Sequence, residues 1–236
     1  QSDYFQATKG GGHGDYHLIV LAPNSVQEMA DFARLGFDLA FKYRNPVIIL
    51  SDGAIGQMME KVRLFDQQPR FTTFDQSWVT TGKTPDREKN VITSLDLDPL
   101  KMEQHNKKLQ AKFQQMRENE IRFEKIECDD ADYLLIAYGT CARICQKTVK
   151  LGRQKGIKLG LLRPITLFPF PTDAIEKMTS TIKGILTVEM SSGQMVEDVR
   201  LAVNGKTKVA FHGRMGGTTP SPDEVLTVLE QQFLKT

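Results

Sequence analysis

From residue 131 to the C-terminus, short apolar runs recur with amphipathic stretches between them, and this alternation allows few architectures. Strands are expected over 133–137, 158–162, 182–188 and 208–211, with helices over 141–155, 171–180 and 194–203. Apolar runs that lack polar alternation suit strands buried on both faces, and strand–helix–strand connections make neighbouring strands parallel. The last helix has a marked start, with Ser221 as cap, Pro222 at its first position and Glu224 completing a capping box. The expectation is an α/β fold with a parallel sheet covered by helices.

A smaller unit of the same kind precedes it. An apolar run at 18–21, the turn Pro23-Asn24-Ser25, a helix to about residue 42 and an apolar run at 47–50 read as βαβ. Ser25 and Glu28 have the spacing of a capping box. Met29, Phe32, Ala33, Phe37, Ala40 and Phe41 recur at helical spacing and are expected to face a sheet. Between 52 and 99 the apolar period fades among Pro69, Gly82 and Pro85, and connections of such length are usually functional, partner-binding or inter-domain segments. Trp78 and the series Phe65, Phe71, Phe74 suggest that this segment packs against a surface. A connector helix is expected over 100–120, with Met102, Leu109, Phe113 and Met116 on one stripe and Lys107 and Lys108 on the solvent side.

A net charge of +2 from 31 basic and 29 acidic residues gives no electrostatic reason to expect a nucleic-acid or membrane partner. No apolar run approaches the roughly 20 residues that span a bilayer, and the opening residues lack a signal core, so a cytoplasmic protein is expected. The absence of an initial methionine and an opening that reads as mid-loop lead us to expect a further segment upstream. Cys128, Cys141 and Cys145 form no C-x-x-C pair, and Cys141 and Cys145 share a helix face with no histidine nearby, which suits buried thiols better than a metal site.

Chemistry is hinted at in four places. Gly10-Gly11-Gly12-His13-Gly14-Asp15 combines backbone freedom with an imidazole, although it precedes a strand instead of following one and lacks the Lys-Ser/Thr ending of a phosphate loop. A plain flexible loop fits it as well. Asp52 and Glu189 each follow a strand, where an acid or base would sit, yet a turn residue and a helix-start acid fit the same positions. Arg214, in the glycine-rich stretch after the last strand, could meet an anion or a neighbouring subunit, or be a surface residue of a long turn. There is no iron–sulfur cysteine cluster and no metal motif.

Six ordered blocks carry a resemblance. They are GGGHGDYHLIVLAPNSVQEM (10–29), YRNPVIILSDGAIGQMME (43–60), ADYLLIAYG (131–139), RPITLFPFP (163–171), VEMSSGQMVEDVRLAV (188–203) and GRMGGTTPSPDEV (213–225). Together they resemble the alpha-type, pyrimidine-binding subunit of 2-oxoacid:ferredoxin oxidoreductases, most closely its 2-ketoisovalerate type.

The resemblance implies that residues 1–65 are the end of a thiamine-diphosphate pyrimidine-binding domain, 66–124 a linker with its connector helix, and 125–236 a transketolase C-terminal-like parallel-sheet domain. It implies oxidative decarboxylation of a 2-oxoacid to an acyl-coenzyme A, with electrons passed to ferredoxin. Thiamine diphosphate with Mg2+ would be shared with a beta-type, thiamine-diphosphate-binding subunit, iron–sulfur clusters would lie on other chains, and coenzyme A and ferredoxin would act at the level of the complex. Gly11, Gly12, His13, Gly14 and Asp15 would form the cofactor-facing loop. The glutamate that thiamine enzymes use on the pyrimidine ring would lie upstream of Gln1, so the chain alone is expected to be inactive. Two other readings stay open: a transketolase or 2-oxoacid dehydrogenase component, and a non-catalytic assembly module.

Overall fold

The computed structural model describes residues 1–64 and 75–234. In chain order the elements are α1 (Tyr4–Thr8), β1 (Ile19–Leu21), α2 (Val26–Tyr43), β2 (Val47–Ile49), α3 (Gly53–Gln57), α4 (Pro99–Asn119), β3 (Phe123–Ile126), β4 (Tyr133–Ile136), α5 (Gly139–Gln154), β5 (Leu159–Pro164), β6 (Thr166–Phe168), α6 (Thr172–Met178), β7 (Gly184–Glu189), α7 (Met195–Val203), β8 (Val209–Gly213) and α8 (Pro222–Phe233). They build two sheets, ordered β2-β1-β6 and β3-β5-β4-β7-β8. The larger is parallel across β5, β4, β7 and β8, with β3 added antiparallel at its edge; β1 and β2 run parallel, as a βαβ unit requires.

Strand alternation sorts the apolar residues into layers. Leu134 and Ile136 of β4 face one side with Val199 of α7 and Ile175 of α6, whereas Leu135 and Ala137 face α5 and α8 through Cys141, Val149 and Leu229. Likewise Val20 of β1 joins the layer containing Leu134, while Ile19 and Leu21 meet Phe32 of α2 and Phe113 and Met116 of α4. The two sheets thus share a single middle layer.

Two local expectations are corrected. The buried face of α2 is Phe32, Gly36, Leu39 and Tyr43, and Phe37 is 61% exposed. Gly36 explains the rotation: a Cβ there would stand 3.7 Å from Val47 Cγ1, so the helix turns its glycine, and not Phe37, toward β2. The capping box at Ser25 is half made. Ser25 Oγ accepts from the Glu28 amide at 3.1 Å, but the Glu28 carboxylate accepts from the Asn24 amide and from Arg163. The box at Ser221 and Glu224 is complete. Trp78 does pack, its ring 6.2 Å from Phe41 and under the Arg44 guanidinium, while Pro69, Phe65, Phe71 and Phe74 lie outside the described residues.

The sheets are joined by one ribbon. Only Ile165 separates β5 from β6, so a single extended stretch pairs with β3 and β4 in the large sheet and then, through Val20↔Phe168 and Leu21↔Thr166, with β1 in the small one. Arg163, on this ribbon, is 2% exposed. Its guanidinium takes both Glu28 oxygens, at 2.9 and 2.7 Å, and its Nε lies 3.2 Å from Glu124 Oε2. A buried guanidinium fork on a carboxylate fixes angle as well as distance.

Arg163→Leu should therefore destabilise the fold by about 2 kcal/mol, less than a fully buried pair because both carboxylates retain solvent. Urea unfolding followed by circular dichroism measures this, and an unchanged midpoint would show that the fork adds nothing to the joint between the sheets.

Candidate functional site

In open α/β sheets, ligands sit outside the carboxyl ends of strands where successive helices leave toward opposite faces. Here that crevice lies between β4 and β7, because α5 and α7 pack on opposite sides of the sheet. It is filled from within the chain. Gln1 Nε2 donates to the Tyr138 carbonyl at 2.9 Å and to Asp52 Oδ2 at 3.3 Å, and Gln1 Oε1 accepts from the Met190 amide at 2.9 Å.

Asp52 reaches the same crevice from the small sheet. It caps its own helix, α3, by accepting from the Ile55 amide at 3.1 Å. It also accepts from the Thr140 amide at 2.8 Å and the Thr140 hydroxyl at 2.6 Å, at the first turn of α5. One carboxylate thus serves two helix starts, where amides lack intrahelical partners and the dipole favours negative charge. Gly139 makes room for it, since its φ is +57° and a Cβ would come within 2.6 Å of Asp52 Oδ2.

Glu189 ends β7 fully buried. Its oxygens accept from the amides of Gln194, Met195 and Val196 at 3.2, 3.0 and 2.9 Å and from Ser191 Oγ at 3.0 Å. The arrangement is that of an anchor for the start of α7. Nearby, burial and then the charges of Asp52 and Glu189 push the Cys141 thiol up to about 12, so it stays protonated and unreactive at neutral pH. Cys145 is raised as well, by burial.

The glycine loop lies elsewhere, before β1. Gly11 to Asp15 are exposed, and Gly10 and Gly14 take φ of +98° and +105°. The Gly11 amide donates to the Tyr16 hydroxyl at 2.9 Å, whereas among the described residues the amides of Gly12, His13 and Gly14 have no acceptor. A Cβ at Gly11 would stand 2.9 Å from Gln6 Cγ. Free amides and an imidazole on a loop without side-chain bulk suit the edge of a polar ring. No group of three His, Cys, Asp or Glu side chains able to hold a metal occurs among the described residues.

Arg214 is exposed, its Nη1 3.4 Å from Glu224 Oε1, which also lies 3.1 Å from His212 Nε2. The structure thus brings Asp52 and Glu189 to one crevice, leaves Arg214 at its rim through the Arg214 amide on the Glu189 carbonyl, and sets residues 11–15 apart. Gln1, Thr140 and His17 join these residues without having been expected from the sequence. Only Gly139-Thr140 after a strand carried a local signal. The His17 ring stacks on Phe168 at 4.3 Å and meets Phe113 edge-on at 5.4 Å, and burial followed by the nearby Arg117 charge lowers its pKa. It is therefore neutral at pH 7.

Asp52→Asn should cost about 1–3 kcal/mol, by weakening charge-assisted bonds to the first turn of α5. Gly139→Ala should cost a similar amount, and the double variant less than the sum, because both act on one contact. Amide exchange at Thr140 reads the effect directly; full additivity would mean that the two residues are independent.

Residues 1–125 match the family model described as pyruvate flavodoxin/ferredoxin oxidoreductase, thiamine diphosphate-binding, and residues 131–225 match pyruvate:ferredoxin oxidoreductase core domain II. Ketoisovalerate oxidoreductase subunit VorB of Methanothermobacter thermautotrophicus is 45% identical over 98% of this chain and 65% of its own length. The 2-oxoglutarate synthase subunit KorA of Methanothermobacter marburgensis is 33% identical over 96% of this chain and 66% of its own. The chain thus spans about two thirds of the length of these relatives. A chain of the 2-oxoglutarate:ferredoxin oxidoreductase from Magnetococcus marinus superposes with a TM-score of 0.75 at 21% identity, covering 98% of this chain and 45% of that one, which shows a shared fold. With the first of these family models spanning more than half of its 236 residues, this chain belongs to the pyruvate flavodoxin/ferredoxin oxidoreductase family.

Proposed function

We propose that the chain is part of the pyrimidine-binding subunit of a thiamine-diphosphate-dependent 2-oxoacid:ferredoxin oxidoreductase, with 2-ketoisovalerate as its substrate. The observation that carries this reading is the 45% identity to a ketoisovalerate oxidoreductase subunit over 98% of the chain. On this reading residues 1–65 belong to the pyrimidine-binding domain, 66–124 form the linker with its connector helix, and 125–236 form the transketolase C-terminal-like domain. Gly11, Gly12, His13, Gly14 and Asp15 would face the cofactor ring, while a beta-type partner subunit holds the diphosphate and its Mg2+. Bound thiamine diphosphate supplies the carbanion chemistry by which a 2-oxoacid loses carbon dioxide.

This chain's own contribution is then positional. The exposed loop offers amide donors at fixed places, because its ends are tied through the Gly11 amide on Tyr16 and the Gln110 side chain on the Asp15 carbonyl. His13, solvent-exposed and free to turn, can donate to or accept from a polar atom of the cofactor or substrate. Electrons leave through iron–sulfur clusters on other chains to ferredoxin, and coenzyme A takes the acyl group at the level of the complex. No helix among the described residues is long and apolar enough to cross a membrane.

A second reading, an assembly module, is favoured by one feature. Val91, Ile92, Leu95 and Leu97 lie largely exposed on a stretch without helix or strand, a surface suited to cover by another subunit.

The full subunit, co-expressed with its partner subunits, should reduce a viologen dye with 2-ketoisovalerate and coenzyme A, and His13→Ala should slow turnover by about tenfold or more. Failure to reduce the dye with any 2-oxoacid would sink the enzymatic reading; normal turnover in the His13 variant would leave the loop a structural element and favour the assembly role.

A further inference from the structure

A cleft of about 570 Å³ runs between the C-terminal half of α4 and the turn after β6, away from the crevice that Gln1 fills. Its size falls within the range of small-molecule sites. Phe168 and Phe170 line it, with the His17 ring stacked on Phe168 and the Arg117 guanidinium 5.3 Å from the Phe168 ring centre. An arginine laid against an aromatic ring keeps its in-plane donors available, and a guanidinium matches a carboxylate in a two-point fork.

The charges around the cleft are unequal in what they can still accept. Lys9 pairs with Asp198, and Asp198 also accepts from the Tyr4 hydroxyl at 2.5 Å, so both charges are committed. Arg117 differs: among the described residues it has no carboxylate partner, and it is half-buried with five donors to satisfy. Glu118 and Asp173 stand exposed at the rim, where they would repel a second negative charge on a ligand.

We propose that this cleft binds an organic monocarboxylate with an apolar or aromatic body, Arg117 taking the carboxylate in a two-point fork while Phe168 and Phe170 bound the body. The site is distinct from the glycine loop at 11–15, and the inference does not rest on the enzymatic reading.

Calorimetric titration of the full subunit with benzoate, phthalate and benzamide tests it. Benzoate should bind one to one at about millimolar strength, as its few atoms allow. Phthalate, repelled by the rim acids, and benzamide, lacking the charge, should bind about tenfold more weakly or not at all, and Arg117→Gln should weaken benzoate by about tenfold. Should that variant fold poorly, phenylglyoxal labelling of the unaltered subunit gives a second readout, with benzoate protecting Arg117 as read by peptide mass spectrometry. Absence of saturable benzoate binding, equal binding of benzamide, undiminished binding by a folded Arg117 variant, or labelling of Arg117 that benzoate leaves unchanged would each overturn the proposal.

Discussion

The ribbon formed by β5 and β6 is the constraint on which the rest of the structure depends. One extended stretch enters two sheets with a single residue between its two pairings, so the separation and mutual angle of the sheets are set by backbone geometry, not by a hinge. Arg163 then fixes the α2 start against the same ribbon, and Phe168 at its far end carries the His17 ring. The middle apolar layer follows from this arrangement. Val20 of one sheet and Leu134 of the other share a core, and the ribbon ties their two sheets together.

Acidic residues beside helix starts recur in this fold, and three of them share a physical role. Glu28, Asp52 and Glu189 each accept from amides at or beside a helix start, and each adds a contact that reaches further along the chain or into a buried turn. A carboxylate at a helix start gains from the dipole and from otherwise unpaired donors, so such positions stabilise long before they catalyse. The crevice between β4 and β7, where open sheets commonly take ligands, is closed here by Gln1 and Asp52. The exposed loop before β1, by contrast, keeps amides that have no acceptor among the described residues.

Much of the fold was legible in the sequence because its strands are uninterrupted apolar runs and its last helix announces its own cap. The parallel core strands and the helices between them lie within a few residues of their expected bounds. What escaped was non-local. β6 was hidden because Thr166-Leu167-Phe168 follows β5 without a break, and nothing in a one-dimensional pattern says that a strand changes sheets. The edge strand β3, with its exposed and half-buried alternation, lacks the apolar run that marked the others. On α2 the apolar stripe misled, since the helix turns a glycine, and not Phe37, toward β2. Asp52 and Glu189 could be placed near strand ends from the pattern, but their partners, Thr140 and the first amides of α7, become visible only once the chain is folded.

The long exposed connection before α4 acquires a different meaning in this light. The halves of the chain are held by a shared sheet ribbon, a buried guanidinium fork and a common apolar layer, none of which passes through residues 75–98. Covalent continuity there contributes little to how the halves recognise each other. The connection is thus a place where a lineage can lengthen the chain, shorten it, or divide it into two separately encoded polypeptides while the joint between them stays intact.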